Sequence, residues 1–132
     1  INIDNLRLVS SLHTSTSAEV LLAMRWIAIL HGRTSLSLGA TGGVHTSEDA
    51  IKLLLAGADV VHLCSLLLEQ GPGALTLILQ HLEAWMEEKG FESVEDVRGR
   101  VSQVSVADPA AFERSNYVHI LDSFSLSPGV RG

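Results

Sequence analysis

Three short, mostly apolar runs of extended type, LRLVSSL (6–12), SLSLGA (35–40) and DVVHLCS (59–65), are each followed by a stretch with helical spacing of its apolar positions. The first helical stretch, AEVLLAMRWIAIL (18–30), is apolar almost all round, which predicts cover on both of its sides, and Gly32 supplies its stop. The second, SEDAIKLLLAGA (47–58), opens with a capping-box pattern between Thr46 and Asp49. Gly57 stands where a left-handed residue closes a helix. A third helix is predicted with Pro72 in its first turn and Gly90 at its end. Leu75, Ile78, Leu79, Leu82, Trp85 and Met86 mark one face, and Glu83, Glu87 and Glu88 fall outside it. A short helix from Ser93 and a turn at Gly99 follow, and from Val104 onward the chain reads as mixed and partly extended.

Short continuous apolar strands alternating with helices predict an α/β fold with a parallel sheet buried on both faces. The three runs begin at residues 6, 35 and 59, close to the roughly 30 residues per strand–helix unit of an eight-unit barrel. Three units cannot close such a barrel, so the pattern fits either an open α/β sheet or part of a (β/α)8 barrel. Composition adds that 132 residues, 46% hydrophobic and 18% charged, suit one domain with a sizeable core. A mean hydropathy of +0.28, with no apolar stretch near about 20 residues, argues against a membrane span. It predicts unusually complete burial, with something large covering the chain. A net charge of −6 without a Lys/Arg cluster makes nucleic acid and anionic membrane surfaces poor partners. The single cysteine, Cys64, cannot form an internal disulfide, so a cytoplasmic location is expected. The start, INIDNLRLV, shows neither an initiator Met nor a signal-peptide pattern and reads as a cut piece.

Candidate chemistry concentrates at two strand ends. In GATGGVH (39–45) the pair Gly42-Gly43 sits where a strand hands over to a helix. Glycines there let the backbone approach a ligand and turn N–H groups toward an anion. The next strand end, LCSLLLEQ (63–70), begins a short extra helix at Ser65. Two such loops side by side make a phosphate cup, which is the recurrent phosphate site of (β/α)8 enzymes. Cys64 is expected to be a small buried hydrophobe that contributes backbone, not thiol. The six histidines include no HxxxH or HxH pair, so no metal site is expected. His45 follows the glycine pair within reach of a phosphate, although an exposed loop histidine is its simpler reading. Trp26 and Trp85 fall in helical patterns and are expected to pack.

The stretch ATGGVHTSEDAIKLLLAGADVVHLCSLLLEQGPGAL resembles the end of the flavin-binding barrel of dihydroorotate dehydrogenases. The continuation LEAWMEEKGFESVEDVRGRVSQ, with DPAAFERSNY after it, looks like the bacterial class 1 dihydroorotate dehydrogenase-like proteins. The resemblance covers almost the whole chain. It implies FMN as cofactor, with Gly42, Gly43, Cys64 and Ser65 holding its phosphate, and makes the three strands six, seven and eight of a TIM (β/α)8 barrel. Residues 1–90 would be the last units of that barrel and 91–132 a helical and extended appendage. The implied reaction oxidises dihydroorotate to orotate in pyrimidine biosynthesis. A base takes a proton while a hydride passes to the flavin. The base, the flavin-contacting Lys and the orotate-binding Asn residues belong to earlier parts of such a barrel, so no catalytic residue is assigned here. The expected partners are FMN, a dihydroorotate-like small molecule, and the rest of the barrel or further copies of the chain. The sequence departs from the family where HTSTSAEV (13–20) lacks the usual Ser-Gly step and where Cys64-Ser65 replaces Gly-Thr. Two alternatives remain open: a non-catalytic phosphate-binding partial barrel, and another phosphate-handling barrel such as a synthase or isomerase.

Overall fold

A computed structural model describes residues 1–109. Its helices start and stop where local chemistry requires. A 3-10 turn, Ser17–Glu19, leads into α1 (Val20–Leu30), and the chain then passes through a turn at Gly32 to β1 (Gly39–Ala40). Helix α2 (Ser47–Ala56) is bounded as its sequence predicts. The Thr46 side chain accepts from the Asp49 N–H, Asp49 reaches back to the Thr46 N–H, and Gly57 closes the helix at φ 117°. Strand β2 (Val60–Val61) follows, then the short α3 (Ser65–Gln70) and the long α4 (Gly73–Lys89), which Gly90 ends at φ 72°. Pro72 caps α4 instead of lying inside its first turn. Helix α5 (Val94–Val97) starts from Ser93 with its own capping box to Asp96.

The two strands pair in parallel, Gly39 opposite Val60 and Ala40 opposite Val61, with α2 as the crossover between them. The arrangement is therefore α/β. The first expected strand, LRLVSSL (6–12), does not form. Only an antiparallel bridge joins Asn2 to Arg7, and Leu6, Leu8 and Leu12 are exposed. An apolar run becomes a buried parallel strand only beside a sheet edge with cover on both faces. Among the described residues, β1 pairs with β2 alone.

The core lies where α2 packs between α1 and α4 over the strand pair. Leu53 is 0% exposed, and Ala40, Val44, Ala50, Leu66, Ile27 and Ile78 surround it. Helix α1 is covered on one side only. Val20, Ile27 and Ala28 are buried, whereas Leu21, Leu22 and Trp26 stand 54–67% exposed, so Trp26 is not the packing residue its pattern suggests. Trp85 does pack, with its ring 5.6 Å from that of Phe91. The face of α4 is also displaced from its expected line. Ala74 and Ile78 are buried, while Leu75 and Leu79 are exposed. Expected burial is thus incomplete, and no helix among the described residues is long and apolar enough to cross a membrane.

The segment after α5 docks on the C-terminal end of α2. Gly99 N–H donates to the Leu54 carbonyl and Val101 N–H to that of Leu55, so two carbonyls at the helix end gain partners. Arg98 bonds Asp59 at 2.8 Å, and the other Asp59 oxygen accepts from the Leu38 N–H, which joins this segment to the start of the strand pair. The chain from Ala110 onward, including His119, lies outside the described residues.

Candidate functional site

The carboxyl ends of β1 and β2 and the segment before α1 converge on a cleft of about 250 Å³. All four residues expected at an anion site line it: Gly42 and Gly43 beyond β1, Cys64 and Ser65 beyond β2. His13, Thr14, Ser15 and Glu19 supply the third wall, with Thr41, Val44 and His62 between. Among the described residues, no protein acceptor takes the N–H groups of Gly42, Gly43, Cys64 or Ser65. Among the described residues no Lys or Arg lines the cleft, so the hydrogen-bond donors it presents are main-chain N–H groups, hydroxyls and imidazoles. Glu19 is engaged elsewhere, its carboxylate accepting from the Thr16 N–H at 2.8 Å.

The glycine pair divides into two roles. Both residues are left-handed, at φ 87° and 77°. A Cβ on Gly42 meets nothing within 4 Å, so this residue faces open space. A Cβ on Gly43 would run into the Val20 nitrogen and lie 2.9 Å from the Glu19 carbonyl carbon and the Thr16 oxygen. Gly43 is thus the point where the β1 loop and the start of α1 touch backbone to backbone.

Asp49 secures the same junction. Its Oδ2 accepts from Ser17 Oγ at 3.1 Å, from the His45 N–H at 3.1 Å and from the Thr46 N–H at 3.0 Å. Burial pushes this carboxyl up, but the hydrogen bonds from His45, Thr46 and Ser17 together hold it below the usual 3.8. A depressed folded-state value means that the carboxylate stabilises the fold fully above the unfolded-state value. The contribution is lost as pH falls through that value toward the folded one. Asp49→Ala is expected to lose about 1–2 kcal/mol at neutral pH. Urea unfolding of wild type and variant should converge as the pH drops below roughly 4.

Two expectations about individual residues change. Cys64 is exposed, not buried, because the chain leaves the sheet before it and its side chain meets the cleft instead of the core. His45 is half-buried, with Nε2 3.2 Å from Ser15 Oγ and Nδ1 3.9 Å from a Glu69 carboxylate oxygen. Sequence reasoning missed Ser15 altogether. The available signal was the hydroxyl-rich HTSTS (13–17) directly before a helix. Among the described residues no cluster of three or more His, Cys, Asp or Glu could hold a metal ion.

No protein-family model matches the chain. Curated relatives do. The chain is 41% identical over 63 residues to the dihydroorotate dehydrogenase (fumarate) of Trypanosoma cruzi, covering 48% of this chain and 20% of that protein. It is 42% identical over 64 residues to the probable dihydroorotate dehydrogenase A (fumarate) of Streptococcus pneumoniae, covering 48% and 21%. It is 31% identical over 72 residues to the dihydroorotate dehydrogenase A (fumarate) of Lactococcus lactis, covering 54% and 23%. The chain spans about a fifth of the length of these relatives. Over about half of its own length, the chain is similar to proteins named dihydroorotate dehydrogenase (fumarate), mostly from bacteria.

Proposed function

We propose that this chain forms the phosphate end of an FMN site in an oxidoreductase similar to dihydroorotate dehydrogenase. The observation that carries the reading is the convergence of Gly42, Gly43, Cys64 and Ser65 on one cleft, with their N–H groups free of acceptors among the described residues. Four main-chain donors suit a terminal phosphate, whose oxygens accept several hydrogen bonds at once. The open space beside Gly42 leaves room for it. In this reading the strand pair belongs to the end of a TIM barrel, with residues 1–90 as its last units and 91–132 as an appendage. The compartment is cytoplasmic. Bound flavin would supply the hydride-accepting chemistry, with dihydroorotate as substrate. This chain's share is to bind and orient the phosphate, while the proton-abstracting base comes from other parts of the barrel.

The reading is tested at Gly42, which lines the cleft and where an added Cβ meets nothing within 4 Å. Gly42→Asp places a negative charge against the phosphate and is expected to weaken FMN binding at least tenfold, on the order of 1.4 kcal/mol. Fluorescence titration of the flavin reads this directly. Equal binding of FMN by variant and wild type sinks the assignment. Tight binding of inorganic phosphate or a sugar phosphate with no preference for FMN would favour a phosphate-handling barrel of another chemistry.

The exposed apolar face of α1 bears on the partners. Leu21, Leu22 and Trp26 line a groove beside Ala18, Ala23 and Gly42, and burying such a face is worth about 25 cal/mol per Å². The purified 132-residue chain is expected to self-associate through it. Light scattering that shows a monomer at high concentration would count against this, and Trp26→Glu should shift the population toward monomer.

A further inference from the structure

Three serine and histidine side chains at the cleft form a chain of hydrogen bonds whose direction follows from the bond that Ser15 Oγ donates to Ser65 Oγ. Ser65 Oγ accepts twice from Ser15, from its N–H at 3.0 Å and from its hydroxyl at 2.9 Å. The single Ser15 hydroxyl hydrogen is thereby used, so the 3.2 Å contact between Ser15 Oγ and His45 Nε2 has the imidazole as donor. With two bonds accepted, the Ser65 hydroxyl retains its own hydrogen, and Ser65 lines the cleft. The sequence runs His45 to Ser15 to Ser65, each group donating to the next, and ends in a donor available to a ligand. Hydrogen bonds aligned in one direction polarise one another and strengthen the terminal donor.

We propose that Ser15 and His45 are positioning residues that hold the Ser65 hydroxyl as a donor into the cleft, selecting a ligand whose terminal group only accepts hydrogen bonds, a phosphate monoester dianion. The inference rests on the phosphate reading above and adds side-chain specificity to a site otherwise described by backbone N–H groups. It also gives the HTSTS segment a role. Ser15 ties the segment before α1 to the loop after β2, and His45 ties both to the loop after β1. A ligand lacking the phosphate gains nothing from the chain of donors.

FMN and riboflavin differ by that phosphate alone, so their affinities for the 132-residue chain form the test. Ser65→Ala, Ser15→Ala and His45→Ala are each expected to weaken FMN binding about tenfold while leaving riboflavin binding unchanged. The Ser15→Ala/His45→Ala double variant should be no worse than about tenfold, because both act through one hydroxyl. His45→Gln, which can still donate toward Ser15, should recover most of the loss. Equal losses for FMN and riboflavin, or no loss for FMN in Ser15→Ala and His45→Ala, would overturn the positioning role while the phosphate site stands. A wild-type chain that does not prefer FMN to riboflavin overturns the phosphate site and the positioning role together.

Discussion

Replacing Gly43 with alanine is expected to destabilise the chain by about 2–5 kcal/mol, since a left-handed backbone costs an L-residue about 1–2 kcal/mol and forced overpacking about 1–3 kcal/mol more. The obstacle is backbone. The new Cβ meets the Val20 nitrogen, the Glu19 carbonyl carbon and the Thr16 oxygen, none of which can swing aside as a flexible side chain would. Relief requires the start of α1 to move off the β1 loop, which also pulls Ser15 and Ser17 from their partners on Ser65, His45 and Asp49. Gly42→Ala, at a similar φ but with nothing within 4 Å, should lose only the conformational part, about 1 kcal/mol. Urea unfolding of the two variants side by side measures the difference. Equal losses would mean that the junction between α1 and the β1 loop is softer than its geometry implies. The comparison also bears on site mutagenesis. A charged residue at 43 would disrupt the junction before it touched a ligand, so charge is better introduced at 42.

The second large effect is expected at Gly57, where α2 ends. His31 wedges its ring between Gly57 and Gly99, and its Nδ1 bonds the Gly57 carbonyl at 3.2 Å. A Cβ on Gly57 would overlap Cβ, Cγ and Nδ1 of that histidine, the inner part of the side chain, at a backbone φ of 117°. Gly57→Ala should therefore cost about 3 kcal/mol, and the docked segment around Gly99 and Val101 should loosen with it. Gly90→Ala is the matched control, because α4 also ends at a left-handed glycine but nothing lies within 4 Å of its Cβ. It should lose only about 1 kcal/mol. Combining Gly57→Ala with His31→Ala removes the clashes with Cγ and Nδ1 and leaves only that with the retained Cβ, so thermal unfolding should show the double variant more stable than the sum of the single losses predicts. Additive losses would show that the ring yields freely.

Helix limits were legible in the sequence because caps are local. Thr46 with Asp49, Ser93 with Asp96, and the glycines at 57 and 90 each satisfy or end a helix using groups within a few residues. The meeting of Gly42, Gly43, Cys64 and Ser65 was legible for a related reason. Two strands in parallel place both of their carboxyl-end loops on the same side of the sheet. Strand formation at 6–12 was not legible. Whether an apolar run pairs depends on a neighbouring edge, which the run itself does not contain. The covered side of α1 likewise depends on what lies against it, and an all-round apolar pattern is silent on that choice. Ser15, His45 and Ser65 lie far apart along the chain, and only the tertiary fold brings them together. The same holds for the opposite roles of Gly42 and Gly43. Local chemistry required two left-handed residues after β1, but the approach of α1 decided which one packs against backbone and which one faces the cleft.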